Sequence, residues 1–321
     1  MPIKIPSKLP AKQQLEKEQV QLIASDTALR QDIRPMKVIL LNLMPKKRDT
    51  EVQFARLLGN SPLQIELTLM TTASYKPKNE ETAYLDEFYY TLNDVKNNFY
   101  DALIITGAPV ETLPFLDVIY WNELIKIIDW SDKHVFQRIG ICWGAQALLY
   151  HQYKIEKYSL EDKIFGIFSH KINPAKLRLM QGFTDNFPMP VSRHTETKIE
   201  DINNYPEFDI LAQSNQAGIG MMINNKNDDF FIFNHLEYDF NTLHNEYKRD
   251  LSAKSKIKMP ENYYPNNDIN KTPKNIWRPF AFLLFANWLN QLYQKTPFDL
   301  TTLIDRKRIY FYLFRKLLTF Y

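Results

Sequence analysis

Residues 134–152 read HVFQRIGICWGAQALLYHQ. An apolar, strand-like run leads into Cys142, and a helix-forming stretch begins directly after it. Strand, nucleophile-type residue and helix in that order describe a tight elbow, which lifts a side chain above the carboxyl end of a buried strand. Gly140 and Gly144 stand two residues to either side in a chain with only 8 glycines, and glycine there permits a sharp turn and close backbone approach. The sulfur would sit at a helix N-terminus, where the partial positive charge favours thiolate over thiol. The same backbone N–H groups are placed to hold an oxyanion. The competing reading is a small buried hydrophobe, the common fate of a lone cysteine; the flanks favour the nucleophile.

Outward from the elbow the chain alternates. Strand-like runs occur at 36–44 (MKVILLNLM), 64–70 (QIELTLM), 102–106 and 135–141, with helical spacing at 50–59, 83–98 and 117–130 between them. The pattern predicts an α/β fold, a mostly parallel sheet with helices on both faces. From 151 to 205 the pattern loosens into polar, irregular sequence. Strand signals return at 209–213, 218–223 and 230–233, and helices are expected at 241–253 and 275–294. We expect a mostly parallel core with a late antiparallel addition. The expected organisation is an N-terminal arm over 1–35, one domain over 36–300 and a C-terminal extension over 301–321. That extension carries Arg306, Lys307, Arg308, Arg315 and Lys316 around aromatic residues. It reads either as a basic amphipathic helix for a membrane or partner, or as a segment packed on its own domain, which is the commoner use and the one favoured.

Composition excludes several classes. The 40 basic and 37 acidic residues leave a formal charge of +3, without the concentrated basic face that nucleic acid needs. One cysteine excludes an intrachain disulfide and a cysteine-rich zinc site, and fits a reducing compartment. The N-terminus lacks the apolar stretch of a signal peptide, and no apolar run reaches membrane-spanning length. The expected location is the cytoplasm. No G-x-G-x-x-G, Walker or H-E-x-x-H motif occurs, so nicotinamide, nucleotide-hydrolysis and zinc-protease chemistry have no support.

A nucleophilic cysteine needs a base, and the chain has six histidines. His235 follows an apolar run ending at Phe233, so it falls at the end of a strand, where open α/β sheets build their sites. Glu237 lies two residues on, spaced to orient the imidazole. His170 and His194 remain rivals on spacing alone.

Long collinear segments resemble a known family. They are MPIKIPSKLP (1–10), QDIRPMKVILLNLMPKK (31–47), RLLGNSPLQIELTLM (56–70), ALIITGAPVE (102–111), ICWGAQA (141–147), SRHTE (192–196), HLEYD (235–239) and FANWLNQLYQKTPFDL (285–300). Together they look like the homoserine O-acyltransferases of bacterial methionine biosynthesis, on a flavodoxin-like, class I glutamine amidotransferase-like fold. The resemblance covers about 1–300. It implies Cys142 as nucleophile, His235 as base and Glu237 as third member. It implies Lys163, Ser192 and Arg249 as homoserine contacts, and Glu111 as a switch for the acyl donor, with Ser192 also bearing on specificity. At position 111, glutamate goes with acetyl transfer and glycine with succinyl transfer. The sequence departs from the family at 234–238, where NHLEY replaces Gly-His-Pro-Glu-Tyr and the fixed backbone angle of proline is lost.

The expected reaction is ping-pong acyl transfer. Cys142 takes an acetyl group from acetyl-CoA, with N–H groups of Trp143 and the Gly107–Ala108 turn steadying the oxyanion, and L-homoserine then receives it. No metal or bound cofactor is expected beyond acetyl-CoA as co-substrate, and no membrane or nucleic-acid partner. The family implies a homodimer. Alternatives are succinyl transfer, a glutaminase or cysteine hydrolase on the same scaffold, and a non-catalytic binding protein.

Overall fold

The computed structural model describes residues 3–5, 22–24, 34–75, 82–173, 178–253 and 257–306. Two short strands, β1 (Ile3–Ile5) and β2 (Leu22–Ala24), pair in parallel. The expected arm over 1–35 otherwise lies outside the described residues almost entirely, as does the extension beyond Arg306.

A nine-stranded sheet organises the rest. Its parallel half contains β3 (Met36–Leu41), β4 (Ile65–Met70), β5 (Tyr100–Ile105), β6 (Val135–Ile141) and β11 (Phe230–Ile232), in spatial order β4-β3-β5-β6-β11. β10 (Gly218–Asn224), β9 (Phe208–Ser214), β7 (Tyr158–Ile172) and β8 (Asn186–Glu196) continue the sheet in that order, each antiparallel to its neighbour.

Successive residues of a strand face opposite ways, so the apolar runs of the parallel half feed two cores. Val38, Leu40, Ala102 and Ile104 pack on one face with Phe54, Leu57, Leu58, Leu284, Phe285 and Trp288. Ile39, Leu41, Leu103 and Ile105 pack on the other with Leu124, Ile127, Ile128, Leu148 and Leu149. The first face is covered by α1 (Lys47–Leu58) and α8 (Arg278–Lys295), the second by α4 (Trp121–His134) and α5 (Trp143–Tyr153). The α/β expectation holds, with helices on both faces.

Two expectations fail locally. The single helix expected over 83–98 is two, α2 (Thr82–Phe88) and α3 (Leu92–Val95). Between them Tyr90 bridges to Met70 at the sheet edge, and Thr91 and Asp94 form a capping box that restarts the chain. The irregular region expected over 151–205 contains β7 and β8, the two longest strands. Pro188 and Pro190 argue against a strand, but β8 is the outermost strand of the sheet, where missing N–H donors are tolerated.

The packed unit continues past residue 300. A 3₁₀ turn at Leu300–Asp305 buries Leu303, and the Arg306 guanidinium lies over the Phe136 ring and donates to its carbonyl at 2.7 Å. Among the described residues no helix is long and apolar enough to cross a membrane.

Candidate active site

The elbow forms at the carboxyl end of β6. Cys142 adopts φ 50° and ψ −116°, a region that L-residues enter only when their surroundings force it. The surroundings are explicit. Its N–H donates to the Ile232 carbonyl at 2.7 Å, and its own carbonyl accepts from the N–H groups of Ala145 and Gln146 at 3.1 and 3.3 Å, so α5 begins at once. A Cβ on Gly140 would lie 2.5 Å from Ala145 Cα, and one on Gly144 2.5 Å from the Ile105 carbonyl oxygen. Neither position admits a side chain without pushing the helix off the sheet. Trp143 is the first helical residue, and the leading N–H groups of a helix have no intrahelical acceptor.

β11 runs parallel beside β6, which brings the segment after it to the same end. The His235 N–H donates to the Pro190 carbonyl at 2.9 Å, and its Nδ1 is 2.6 Å from Glu237 Oε1. With Nδ1 on the carboxylate, Nε2 is left for Cys142, which lies close enough to act on the ring electrostatically. All three side chains are buried. A Cβ built on Gly107 would lie 3.4 Å from Cys142 Cβ and 3.6 Å from His235 Cε1, so the turn after β5, with Ala108, closes on the same point. Burial alone would lower the His235 pKa; the Glu237 carboxylate and then Cys142 outweigh it and hold it well above the ordinary histidine value. His235 is therefore held toward its protonated form, with Glu237 as the partner of Nδ1.

The missing proline is compensated by neighbours. Leu236 is buried in the core, the Trp277 indole N–H donates to the Tyr238 carbonyl at 2.9 Å, and Asp239 pairs with Arg56 and, at 2.8 Å, with Arg278. The rival histidines are engaged elsewhere. His170 lies within β7, its Nδ1 2.9 Å from the Phe168 carbonyl and its Nε2 2.8 Å from the Asn234 amide nitrogen. Burial pushes its pKa down to about 4. His194 meets the site through its backbone N–H, which donates to Glu111 Oε2 at 3.1 Å.

That bond holds Glu111 to β8, within electrostatic reach of His235. Its carbonyl accepts from Lys157 Nζ at 2.5 Å, and Lys157 also holds the Leu113 carbonyl at 2.8 Å. Burial raises the Glu111 pKa above the usual carboxylate value, against the opposing pull of His194, Lys163 and His235.

A second cluster adjoins. α7 (Thr242–Ser252) lays Glu246 and Asp250 against β7 and β8. Ser192 Oγ donates to Glu246 Oε2 at 2.5 Å, and Tyr238 donates to Glu246 Oε1 at 2.7 Å. Lys163 Nζ lies 3.1 Å from Asp250 Oδ2 and 3.7 Å from Glu246 Oε2. Lys163 and Ser192 are thus brought together. Arg249 joins them at the rim: its side chain is 61% exposed and pairs at 2.7 Å with Asp250, the carboxylate that Lys163 also holds. Sequence reasoning missed Glu246, Tyr238 and Arg193. Arg193 is buried beside Cys142 and Glu111, with its guanidinium on the Ala217 and Ile219 carbonyls, and burial lowers its pKa against the pull of both groups. Arg193 was within reach, because it follows Ser192 in a quoted motif; a lone glutamate in a charged helix gives no signal. Among the described residues no cluster of three or more metal-ligating side chains forms.

A buried nucleophile, base and carboxylate beside clustered opposite charges can transfer an acyl group to or from a small zwitterion. Two solved glutamine amidotransferases share the fold. The one from Thermotoga maritima has a TM-score of 0.52 and 13% identity, covering 82% of this chain and 100% of its own. The one from Methylobacillus flagellatus has a TM-score of 0.51 and 12% identity, covering 81% and 95%. Much nearer in sequence are proteins named homoserine O-acetyltransferase. That of Lachnoclostridium phytofermentans is 50% identical over 301 residues, covering 94% of this chain and 100% of the relative. Those of Allorhizobium ampelinum and Geobacillus kaustophilus are 48% and 46% identical, covering 94% and 93% of this chain and 97% and 99% of the relatives. Residues 2–298 match the profile of the family described as homoserine O-succinyltransferase, and the chain belongs to that family.

Proposed function

We propose that this protein is a homoserine O-acetyltransferase that works through an acetyl-cysteine. The observation that carries the reading is the buried Cys142–His235–Glu237 chain at the carboxyl ends of β6 and β11. The Cys142 thiolate attacks the thioester carbonyl, with the N–H groups of Trp143 and Ala108 assigned to the oxyanion. The carbon–sulfur bond to CoA breaks, and His235 gives its proton to the departing thiolate. Homoserine then enters. His235 takes the proton from its hydroxyl, the alkoxide oxygen attacks the acetyl-cysteine, and the Cys142 thiolate leaves, which restores the ion pair. Glu237 stabilises the imidazolium in both half-reactions. Glu246 and Asp250 suit the amino group of homoserine. Lys163 suits its carboxylate, which Arg249 joins by exchanging Asp250 for it.

The family profile and the relatives carry different acyl names. The relatives' names and a half-buried Glu111 support acetyl, because a carboxylate in the acyl pocket repels the free carboxylate of a succinyl group. A homodimer in the cytoplasm belongs to the same proposal, and light scattering on the purified protein tests its size. The direct test is steady-state kinetics with acetyl-CoA and homoserine. Parallel double-reciprocal lines and formation of O-acetylhomoserine are expected. Release of CoA at the full rate without homoserine would make the protein a hydrolase instead.

A further inference from the structure

We infer that Tyr238 is a positioning residue that couples the homoserine-binding carboxylate to the catalytic base. The inference rests on the acyl-transfer reading above. Tyr238 is buried, with its carbonyl fixed by the Trp277 indole, and it touches both halves of the site. Its ring lies face to face with the His235 imidazole, with centroids 4.2 Å apart and planes 18° from parallel. Its hydroxyl donates to Glu246 Oε1 at 2.7 Å, while Ser192 Oγ occupies Oε2 at 2.5 Å. Two hydroxyl donors, one on each oxygen, therefore fix the plane of the Glu246 carboxylate, and one of them belongs to the side chain stacked on the base.

Burial and the nearby Glu246 and Glu237 carboxylates hold the phenol well above its ordinary pKa, so it remains a donor. An electron-rich ring face also favours a cationic imidazole over a neutral one. The two contacts do separable work. The stack holds His235 for both half-reactions. The hydroxyl holds Glu246, which matters only when homoserine is bound and its hydroxyl must meet His235 at attack distance.

Tyr238→Phe keeps the ring and removes the hydroxyl. Three full-length variants are compared with the wild type: Tyr238→Phe, Glu246→Gln and the double variant. Intact-protein mass over time, with acetyl-CoA alone, reads the first half-reaction; steady-state kinetics reads the second. Tyr238→Phe is expected to acylate within about twofold of wild type, with an unmoved pH profile, while kcat/KM for homoserine falls roughly tenfold, the usual size for loss of one hydrogen bond to a charged group. The double variant should be no worse than Glu246→Gln alone, because the hydroxyl acts through that carboxylate. Equal slowing of both half-reactions in Tyr238→Phe, or losses that simply add in the double variant, would overturn the inference and leave Tyr238 a packing residue. If the wild type acylates but gives no homoserine-dependent turnover, the functional reading itself fails.

Discussion

Replacing Glu111 with glycine should shift the choice of acyl donor. The Glu111 carboxylate is pinned by the His194 N–H at 3.1 Å, and its backbone by Lys157 at 2.5 Å, so it cannot easily swing away. A succinyl group on Cys142 would carry its own carboxylate into the same pocket. Two like charges about 5 Å apart at an effective dielectric of about 20 repel by about 3 kcal/mol. Glu111 is only half-buried, and solvent screening reduces this to about 1.5–3 kcal/mol, or roughly ten- to a hundredfold in a rate ratio. Glycine removes both the charge and the bulk and leaves Lys163 nearby as an attractive charge. The assay is kcat/KM for acetyl-CoA and succinyl-CoA in the wild type and in Glu111→Gly. The wild type should prefer acetyl-CoA, and the variant should lose most or all of that preference. Its pH dependence has a definite sign. Burial raises the Glu111 pKa, so as pH falls Glu111 loses its charge before an ordinary carboxylate does. Discrimination in the wild type should therefore weaken toward mildly acidic pH, and in Glu111→Gly it should not. A wild type that prefers succinyl-CoA, or a variant with an unchanged donor ratio, would refute the reasoning.

Other residues give independent checks. His235→Ala should lower turnover by about 10²–10⁴-fold and Glu237→Ala by less, whereas His170→Ala should retain the chemistry in whatever fraction folds; the reverse order would move the base to His170. His170 also makes stability depend on pH. Its folded pKa of about 4 lies below the ordinary 6.5, so the unfolded chain binds the extra proton first. Stability is full above pH 6.5 and declines by about 3 kcal/mol as pH falls from 6.5 to 4; urea midpoints across that range should show the decline, and His170→Gln should flatten it. Leu303→Ala should cost about 2–4 kcal/mol, because Leu303 is buried beyond the recognisable family sequence; an unchanged melting temperature would mean that the turn at Leu300–Asp305 contributes nothing.

The parallel half of the sheet was legible because its strands are unbroken apolar runs with helical spacing between them, and Gly140 and Gly144 marked the elbow. β7 and β8 were not. Pro188 and Pro190 mask an edge strand, and β7 mixes exposed and buried positions around an irregularity between Ser159 and Ile164. His235 and Glu237 were readable from position in the chain, but their preference over His170 was not. It depends on β11 lying next to β6 and on Asn234 occupying the His170 ring, and both are long-range facts. Lys163 and Ser192 entered through resemblance, and the fold does bring them to one cluster. The carboxylate that joins them, Glu246, is an ordinary charge in a helical sequence until α7 docks. Arg249, also expected there, reaches the cluster from its exposed rim through Asp250.

Covalent capture of the acyl group bears most directly on how this protein works. The wild type and Cys142→Ser are each mixed with acetyl-CoA, and separately with succinyl-CoA, without homoserine, and intact masses are recorded within the first turnovers. The wild type should gain one acetyl group with acetyl-CoA and little with succinyl-CoA, peptide mapping should place it on Cys142, and added homoserine should discharge it as O-acetylhomoserine. Cys142→Ser should gain nothing. Undiminished turnover by folded Cys142→Ser, or an acyl group on another residue that homoserine discharges at the catalytic rate, would contradict the acyl-cysteine mechanism.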